Sequence, residues 1–272
     1  MPEDHAAPIA PAASPLPPRT ISAPEFDSGY EAKFDFPRRS APPAVRYMIA
    51  TTPRSGSTYL SHLLWQTGCL GAPLEYLDFA PHAEGEPEAD RAASQRRRWE
   101  EALATRTSPN GVFGFKCFLM HLRALGESNE ALLEALMPTH IVFLDRRDQT
   151  AQSVSYARAH LTGVWCKEQS IGTNEQVPYS RDAVERAKGW IVAQNERWSR
   201  LFDALGVEPL HLVYEDVVAQ PQEALAAVAG HLGVALAPQP RLPIPPVERQ
   251  SGAESRRWRE AYLADLAREP DA

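Results

Sequence analysis

The sequence predicts an α/β fold, with a central, mostly parallel sheet flanked by helices. Three observations carry that expectation. Short apolar runs alternate along the chain with longer stretches of helical periodicity. His140-Ile141-Val142-Phe143-Leu144 is apolar almost throughout, the pattern of a strand buried on both faces of a parallel sheet. Polar turns, 51–57 and 145–148, directly follow two of the runs, where such sheets bind their ligands.

Taken in order, residues 1–43 form a Pro/Ala-rich leader, predicted to be extended and largely disordered. Seven prolines fall between Met1 and Pro24, and neither helix nor strand period is present. A basic start followed by an apolar run is also missing, so the segment does not read as a signal peptide. Residues 44–272 are expected to form one domain. Val45–Ala50 is the first strand, set between Pro42-Pro43 and Pro53. A polar loop follows, then a helix over Thr58–Thr67 with Leu60, Leu63, Leu64 and Thr67 on one face, stopped by Gly68. Residues 69–83 read as loop and Pro87–Arg106 as a charged amphipathic helix, whose Arg96-Arg97-Arg98 is a solvated face. Val112–Phe118 is the second strand, Glu130–Met137 a short helix and His140–Leu144 the third strand. A helix from Asp148 to Thr162 ends at Gly163, and Cys166–Pro178 reads as loop. A long helix, Tyr179–Leu205, precedes the fourth strand, Leu210–Tyr214, and a helix over Pro221–Leu232. The remaining tail is only helix-like.

Composition removes several classes of function. Lys and Arg number 28 against 35 Asp and Glu, a formal charge of −7, which disfavours a protein coating nucleic acid or an anionic membrane. A small anion remains compatible where basic groups gather locally. The three cysteines, Cys69, Cys117 and Cys166, form no C-x-x-C pair, and no H-E-x-x-H occurs. Neither a disulfide framework nor a metal site is expected, and a reduced, cytoplasmic setting fits best. No stretch approaches the ~18 apolar residues of a membrane span.

Two segments carry chemistry. Thr52-Pro53-Arg54-Ser55-Gly56-Ser57-Thr58 joins a buried strand to a helix start, so its backbone N–H groups converge on one concavity suited to a tetrahedral oxyanion. Gly56 allows close backbone approach, Ser57 and Thr58 add hydroxyls, and Arg54 adds a permanent charge. The segment is neither a Walker A loop nor a G-x-G-x-x-G turn. The bland alternative is an ordinary helix capped by Ser57 or Thr58. Arg146-Arg147-Asp148 through Gln152 and Ser155 is a second strand end opening into a helix, placed to grip a second phosphate. By itself it reads equally as solvated charges paired with Asp145 or Asp148.

Six blocks then occur in order: Arg54–Thr58, Gly71–Tyr76, Asn110–Lys116, Arg146–Ser155, Thr162–Trp165 and Glu248–Gln250. The series resembles the bacterial trehalose 2-sulfotransferase family, whose members use 3′-phosphoadenylyl sulfate (PAPS), over roughly residues 44–262. The resemblance implies a P-loop-like sulfotransferase fold and a homodimer. It implies that Arg54, Ser55, Gly56, Ser57 and Thr58 hold the 5′-phosphosulfate, that Arg146 and Ser155 hold the 3′-phosphate, and that Arg249 and Gln250 close over the nucleotide. Glu75, in a G-x-P-x-E pattern, becomes the general base for the acceptor hydroxyl, and Arg54 the group stabilising the leaving oxygen. Lys116 and Tyr76 become substrate contacts, with no metal required. Trp165 reads as core. His62 and His140 read as structural histidines, and His121 as the only one near a candidate pocket wall. The acceptor is expected to be a trehalose-like carbohydrate or another small alcohol. Two other readings share the first anion turn: a magnesium-dependent nucleotide kinase of the P-loop type, and a non-catalytic nucleotide-binding scaffold.

Overall fold

Alternate residues of the first strand point to opposite faces, and between Tyr47 and Ala50 both sets are apolar, so this strand is built to be covered twice. In the computed structural model, which describes residues 27–77, 88–124, 136–165, 177–236, 242–246 and 252–268, it is β1, Val45–Thr51. The loop after it opens into α1, Ser57–Trp65, and the chain continues through α2, Glu88–Thr105, to β2, Val112–Phe118. Then come α3, Leu119–Ala124, β3, His140–Asp145, α4, Gln149–Thr162, and α5, Arg181–Leu205. β4, Leu210–Val213, α6, Tyr214–Ala219, α7, Pro221–His231, and α8, Ala253–Arg268, complete the described elements.

The four strands form one parallel sheet in the order β2-β1-β3-β4. Met48 and Ala50 join Phe113, Phe115, Ile141 and Phe143 on one face, closed by Trp198, Leu201 and Phe202 of α5. Tyr47 and Ile49 join Val142 and Leu144 on the other, under Leu60 and Leu64 of α1 and Leu225 and Val228 of α7. Each such side chain, fully buried, contributes roughly 1.5–3 kcal/mol. Tyr47 fits only because its strand partner is Gly114: a Cβ there would sit 2.4 Å from the tyrosine ring. The Tyr47 hydroxyl donates to Leu70 O at 2.8 Å.

The strand order decides where ligands go. From β1 the chain crosses to one side to make β2, then returns past β1 to make β3. β1 and β3 are therefore neighbours at the point where the winding reverses, with Thr51 opposite Leu144. Loops leaving two such strands diverge to opposite faces and open a crevice at the strand ends. The Trp198 indole fastens that end of β1 from α5, donating to Thr51 O at 3.0 Å.

Several expectations change. All four strands lie where the pattern places them, but Tyr214 begins α6 rather than ending β4. The first helix runs from Ser57 to Trp65 instead of 58–67. α3 and α6, six residues each, are too short to show a helical period. The helix-like tail is α8, whose Trp258 and Tyr262 pack on Val154, Ala157 and Val184 of α4 and α5. The helix expected at Glu130–Met137 and the loop at Cys166–Pro178 lie mostly outside the described residues. The expected leader needs the clearest correction, because residues 27–43 pack on the domain. Phe36 is buried, Phe36 N donates to Thr105 O at 2.8 Å and Arg39 N to Ala104 O at 2.9 Å. Arg106, itself buried, ties this segment down through Gly29 O at 2.8 Å and Asp35 at 2.8 Å. Composition hid this, since the anchoring groups sit seventy residues away on α2 and beyond it. Residues 1–26 lie outside the description.

Candidate active site

A helix start leaves its first N–H groups without intrahelical partners. At α1 they also lack a side-chain cap: the N-cap position is Gly56, at φ 87°, and no side chain bonds there. The reading of Ser57 or Thr58 as an ordinary cap is thereby set aside. Contrast α4, where the Asp148 carboxylate accepts from Ala151 N at 2.9 Å. The loop preceding α1 is held from inside. Thr51 Oγ1 donates to Leu144 O at 2.7 Å and lies 2.6 Å from Ser55 Oγ, so the Ser55 hydroxyl is engaged within the loop. Gln152 of α4, fully buried, donates through Nε2 to Thr52 Oγ1 at 2.9 Å and Pro53 O at 3.0 Å. Arg54 adopts φ 66°, a left-handed conformation that costs a non-glycine residue of order 1–3 kcal/mol. That conformation carries its side chain across to the second turn.

There Arg54 Nε donates to Ser155 Oγ at 2.8 Å and Nη1 to Trp165 O at 2.6 Å. In return Arg146 Nη1 donates to Arg54 O at 3.2 Å. The two turns, 92 residues apart by that pair, are in direct contact. Arg146 lies over the Tyr214 ring at 5.0 Å and 3.7 Å from Glu215, and its Nε is buried without a hydrogen-bond partner, as is Gln152 Oε1. Glu215 shapes the turn by accepting from Arg147 N at 2.9 Å and Asp148 N at 3.1 Å. Arg147 faces outward to Asp216 at 2.6 Å.

Glu75 sits beside β2 because Leu74 bridges to Phe115 in parallel fashion and Leu74 O accepts from Lys116 N at 2.8 Å. The Tyr30 hydroxyl holds the same residue from the other side, accepting from Glu75 N at 3.0 Å. Lys116 is 3% exposed; its Nζ lies 2.6 Å from Glu75 Oε1 and 3.3 Å from Thr58 Oγ1. It is therefore not the solvent-facing strand-end lysine that its position suggests. Burial pushes the Glu75 carboxyl up, but the Lys116 charge and hydrogen bond, with His121 nearby, outweigh it and hold the group below its ordinary value. His62, one turn beyond Thr58 on α1, places Nδ1 3.0 Å from Pro245 O. Burial, aided by Lys116 and opposed by that hydrogen bond, pushes its pKa down.

Most of the residues singled out from sequence thus converge: Arg54 to Thr58, Arg146, Ser155, Glu75 and Lys116. Tyr76 does not join them. It is 8% exposed, stacked on Phe113 at 5.6 Å, and its hydroxyl is bound to Ala72 O, so it is a core residue, not an acceptor contact. Trp165, expected in the core, is 39% exposed beside Tyr156. Arg249 and Gln250 lie outside the described residues. Among the described residues, no group of three or more His, Cys, Asp or Glu is placed to hold a metal ion. Sequence reasoning missed Tyr214 and Glu215, although they begin where the fourth strand ends, the same signal that found the other two turns.

A parallel sheet with an uncapped helix start and an arginine-bearing turn joined at its switch point defines a P-loop-like α/β protein. The missing Gly-Lys-Ser/Thr distinguishes it from nucleoside triphosphatases. Within that class, the chain belongs to the Stf0 sulphotransferase family, whose model matches residues 46–265; it is a sulfotransferase. It is similar to the trehalose 2-sulfotransferases of Mycobacterium tuberculosis (strain ATCC 35801 / TMC 107 / Erdman), 27% identical over 83% of this chain and 97% of the relative, and of Mycolicibacterium smegmatis (strain ATCC 700084 / mc(2)155), 28% identical over 82% and 96%. Among solved structures, it resembles a sulfotransferase domain from the curacin biosynthetic pathway at 19% identity and TM-score 0.44, covering 79% of this chain and 83% of that one. A sulfotransferase from Alicyclobacillus acidocaldarius gives 14% and 0.41, covering 82% and 93%.

Proposed function

We propose that this sulfotransferase takes its sulfuryl group from PAPS and delivers it to a hydroxyl of a carbohydrate, trehalose or a close relative of it. The observation that carries the reading is the contact between the two turns, through which Arg54 bonds Ser155 and Arg146 bonds the Arg54 carbonyl. PAPS carries phosphates at both ends of its ribose, and two linked anion sites suit it better than a single loop would. The fit is supported by the uncapped start of α1 and by the buried Nε of Arg146, which makes no hydrogen bond and has the Glu215 carboxylate only at ion-pair range, 3.7 Å. The carbohydrate acceptor rests on the two trehalose 2-sulfotransferases that align along nearly their whole length.

In this reading the backbone and hydroxyls of 54–58 hold the 5′-phosphosulfate, Arg146 and Ser155 the 3′-phosphate, and Arg249 with Gln250 close over the nucleotide. PAPS, when bound, supplies an activated sulfuryl group on a phosphate oxygen. Arg54 offers a fixed cation where negative charge grows on that leaving oxygen. Glu75, ionised and held against β2, accepts the proton of the acceptor hydroxyl. Lys116 contacts the acceptor side of the cleft. Fixed cations and N–H dipoles serve the leaving group without a metal. The free, buried Cys69 and Cys117 suit a reducing, cytoplasmic setting, and among the described residues no helix is long and apolar enough to cross a membrane. The expected homodimer is read directly by sedimentation equilibrium.

Transfer of radiolabelled sulfuryl from PAPS to a carbohydrate panel containing trehalose tests the reading. Labelled, sulfated sugar is expected. Nucleotide binding without transfer to any hydroxyl would favour a binding protein instead.

A further inference from the structure

A lysine ordinarily keeps its ammonium in water. Lys116 does not: at 3% exposure its Nζ is divided between Glu75 Oε1, 2.6 Å away, and Thr58 Oγ1, 3.3 Å away, with the Phe118 ring at 5.8 Å. Burying that charge is unfavourable unless it is paired and hydrogen-bonded, so the carboxylate partner is a condition for Lys116 being there at all. One partner is the acid beside the acceptor; the other is a hydroxyl of the anion loop. A single ammonium therefore touches both halves of the site.

The charged and titratable groups around this bridge come from several elements. His121 of α3 and Cys117 of β2 lie near enough to Glu75 for their charges to influence one another, although Cys117 packs in the core with Phe113 and Phe115. His62 of α1, anchored to Pro245 O, faces Lys116. Lys116 has three N–H donors, and an anion arriving in 54–58 brings negative charge to the Thr58 side of its ammonium. The ammonium is then drawn toward that anion, and as Nζ moves off Glu75 Oε1 the hold on Glu75 falls with the distance.

We propose that Lys116 is a positioning residue that clamps Glu75 before the 54–58 loop is loaded and shifts toward the loop once an anion binds there, releasing the carboxylate to accept a proton. The inference rests on Glu75 as base and 54–58 as donor site, and it adds the residue that couples the two. An acceptor arriving first meets a carboxylate whose proton affinity is suppressed. Once the donor is bound, the same carboxylate regains it.

Difference infrared titration of the Glu75 carboxyl band, identified by its loss in Glu75→Gln, reads the clamp without turnover. In the free wild-type protein the band is expected to titrate below the ordinary glutamate range, and 3′-phosphoadenosine 5′-phosphate is expected to raise the midpoint. Lys116→Met is expected to raise it by ~1–3 units without nucleotide, the scale of an adjacent opposite charge, and to blunt the nucleotide's further effect. Lys116→Arg, which keeps the charge, should restore the low midpoint. A Lys116→Met midpoint equal to wild type overturns the proposal, as does an equal nucleotide shift in both proteins, which would be the nucleotide's own field. If Lys116→Met does not fold, a wild-type midpoint that ignores the nucleotide overturns it alone. Full turnover in Glu75→Gln would instead remove the base assignment and leave the infrared result standing.

Discussion

Glu75 shows how far one residue's behaviour depends on its neighbours. As a loop acid it would titrate ordinarily; beside Lys116 and His121 it stays charged despite burial. Glu75→Gln is expected to leave nucleotide affinity nearly intact and lower kcat by about 10²–10⁴, the range for loss of a general base, in steady-state assays. Because its pKa is depressed in the unloaded protein, the acid limb of kcat/KM for the donor is expected below the ordinary glutamate range. The stability this carboxylate contributes is present above the unfolded-state value and lost as pH falls through the lowered one. Gly56 is a second case. Its φ of 87° disfavours any side chain, and a Cβ would stand 2.0 Å from the Tyr214 ring. Gly56→Ala is expected to destabilise the protein by at least about 1–3 kcal/mol from backbone strain, read as a lower urea midpoint, and to weaken nucleotide binding as Tyr214 is pushed from beneath Arg146.

At the scale of elements, the loop after β1 takes its shape from α4 and β3. Gln152 reaches back to Thr52 and Pro53, and Thr51 to Leu144 O. Gln152→Leu keeps the volume and removes both donated bonds, leaving Pro53 O buried without a partner. A loss of about 1–3 kcal/mol is expected by denaturant unfolding, with weaker nucleotide binding and no change in acceptor KM. The strands were legible because continuous apolar runs between prolines and polar turns leave few alternatives. The short helices α3 and α6 were not, since six residues give under two turns of period. In the sequence Gln152 looked like a phosphate ligand because it precedes Ser155 by three. The structure turns it inward, and only the packing of α4 against the loop decides that.

For the whole molecule, the net charge of −7 repels polyanions at a distance, while Arg54 and Arg146 bring positive charge together where the two turns meet. A ligand spanning both turns joins β1–α1 to β3–α4. At a concentration of 100 times its Kd, 3′-phosphoadenosine 5′-phosphate is expected to stabilise the fold by about 2.7 kcal/mol, a Tm rise of roughly 5–10 °C at this size. ATP is expected to give a smaller rise, and the Arg54→Ala/Arg146→Ala double variant almost none, by differential scanning fluorimetry.

The sequence by itself determined the strands, the α/β class, the two polar turns and the acid in its Gly-x-Pro-x-Glu setting, because these follow from local pattern and residue chemistry. Tertiary structure alone decided that the turns meet, that Lys116 is buried between Glu75 and Thr58, that Tyr76 is core, and that Gly29, Asp35, Phe36 and Arg39 pack back on the end of α2 and Arg106. The physical reason is the strand order. Pairing β1 with β3 brings together loops nearly a hundred residues apart, and no periodicity along the chain encodes which strands become neighbours.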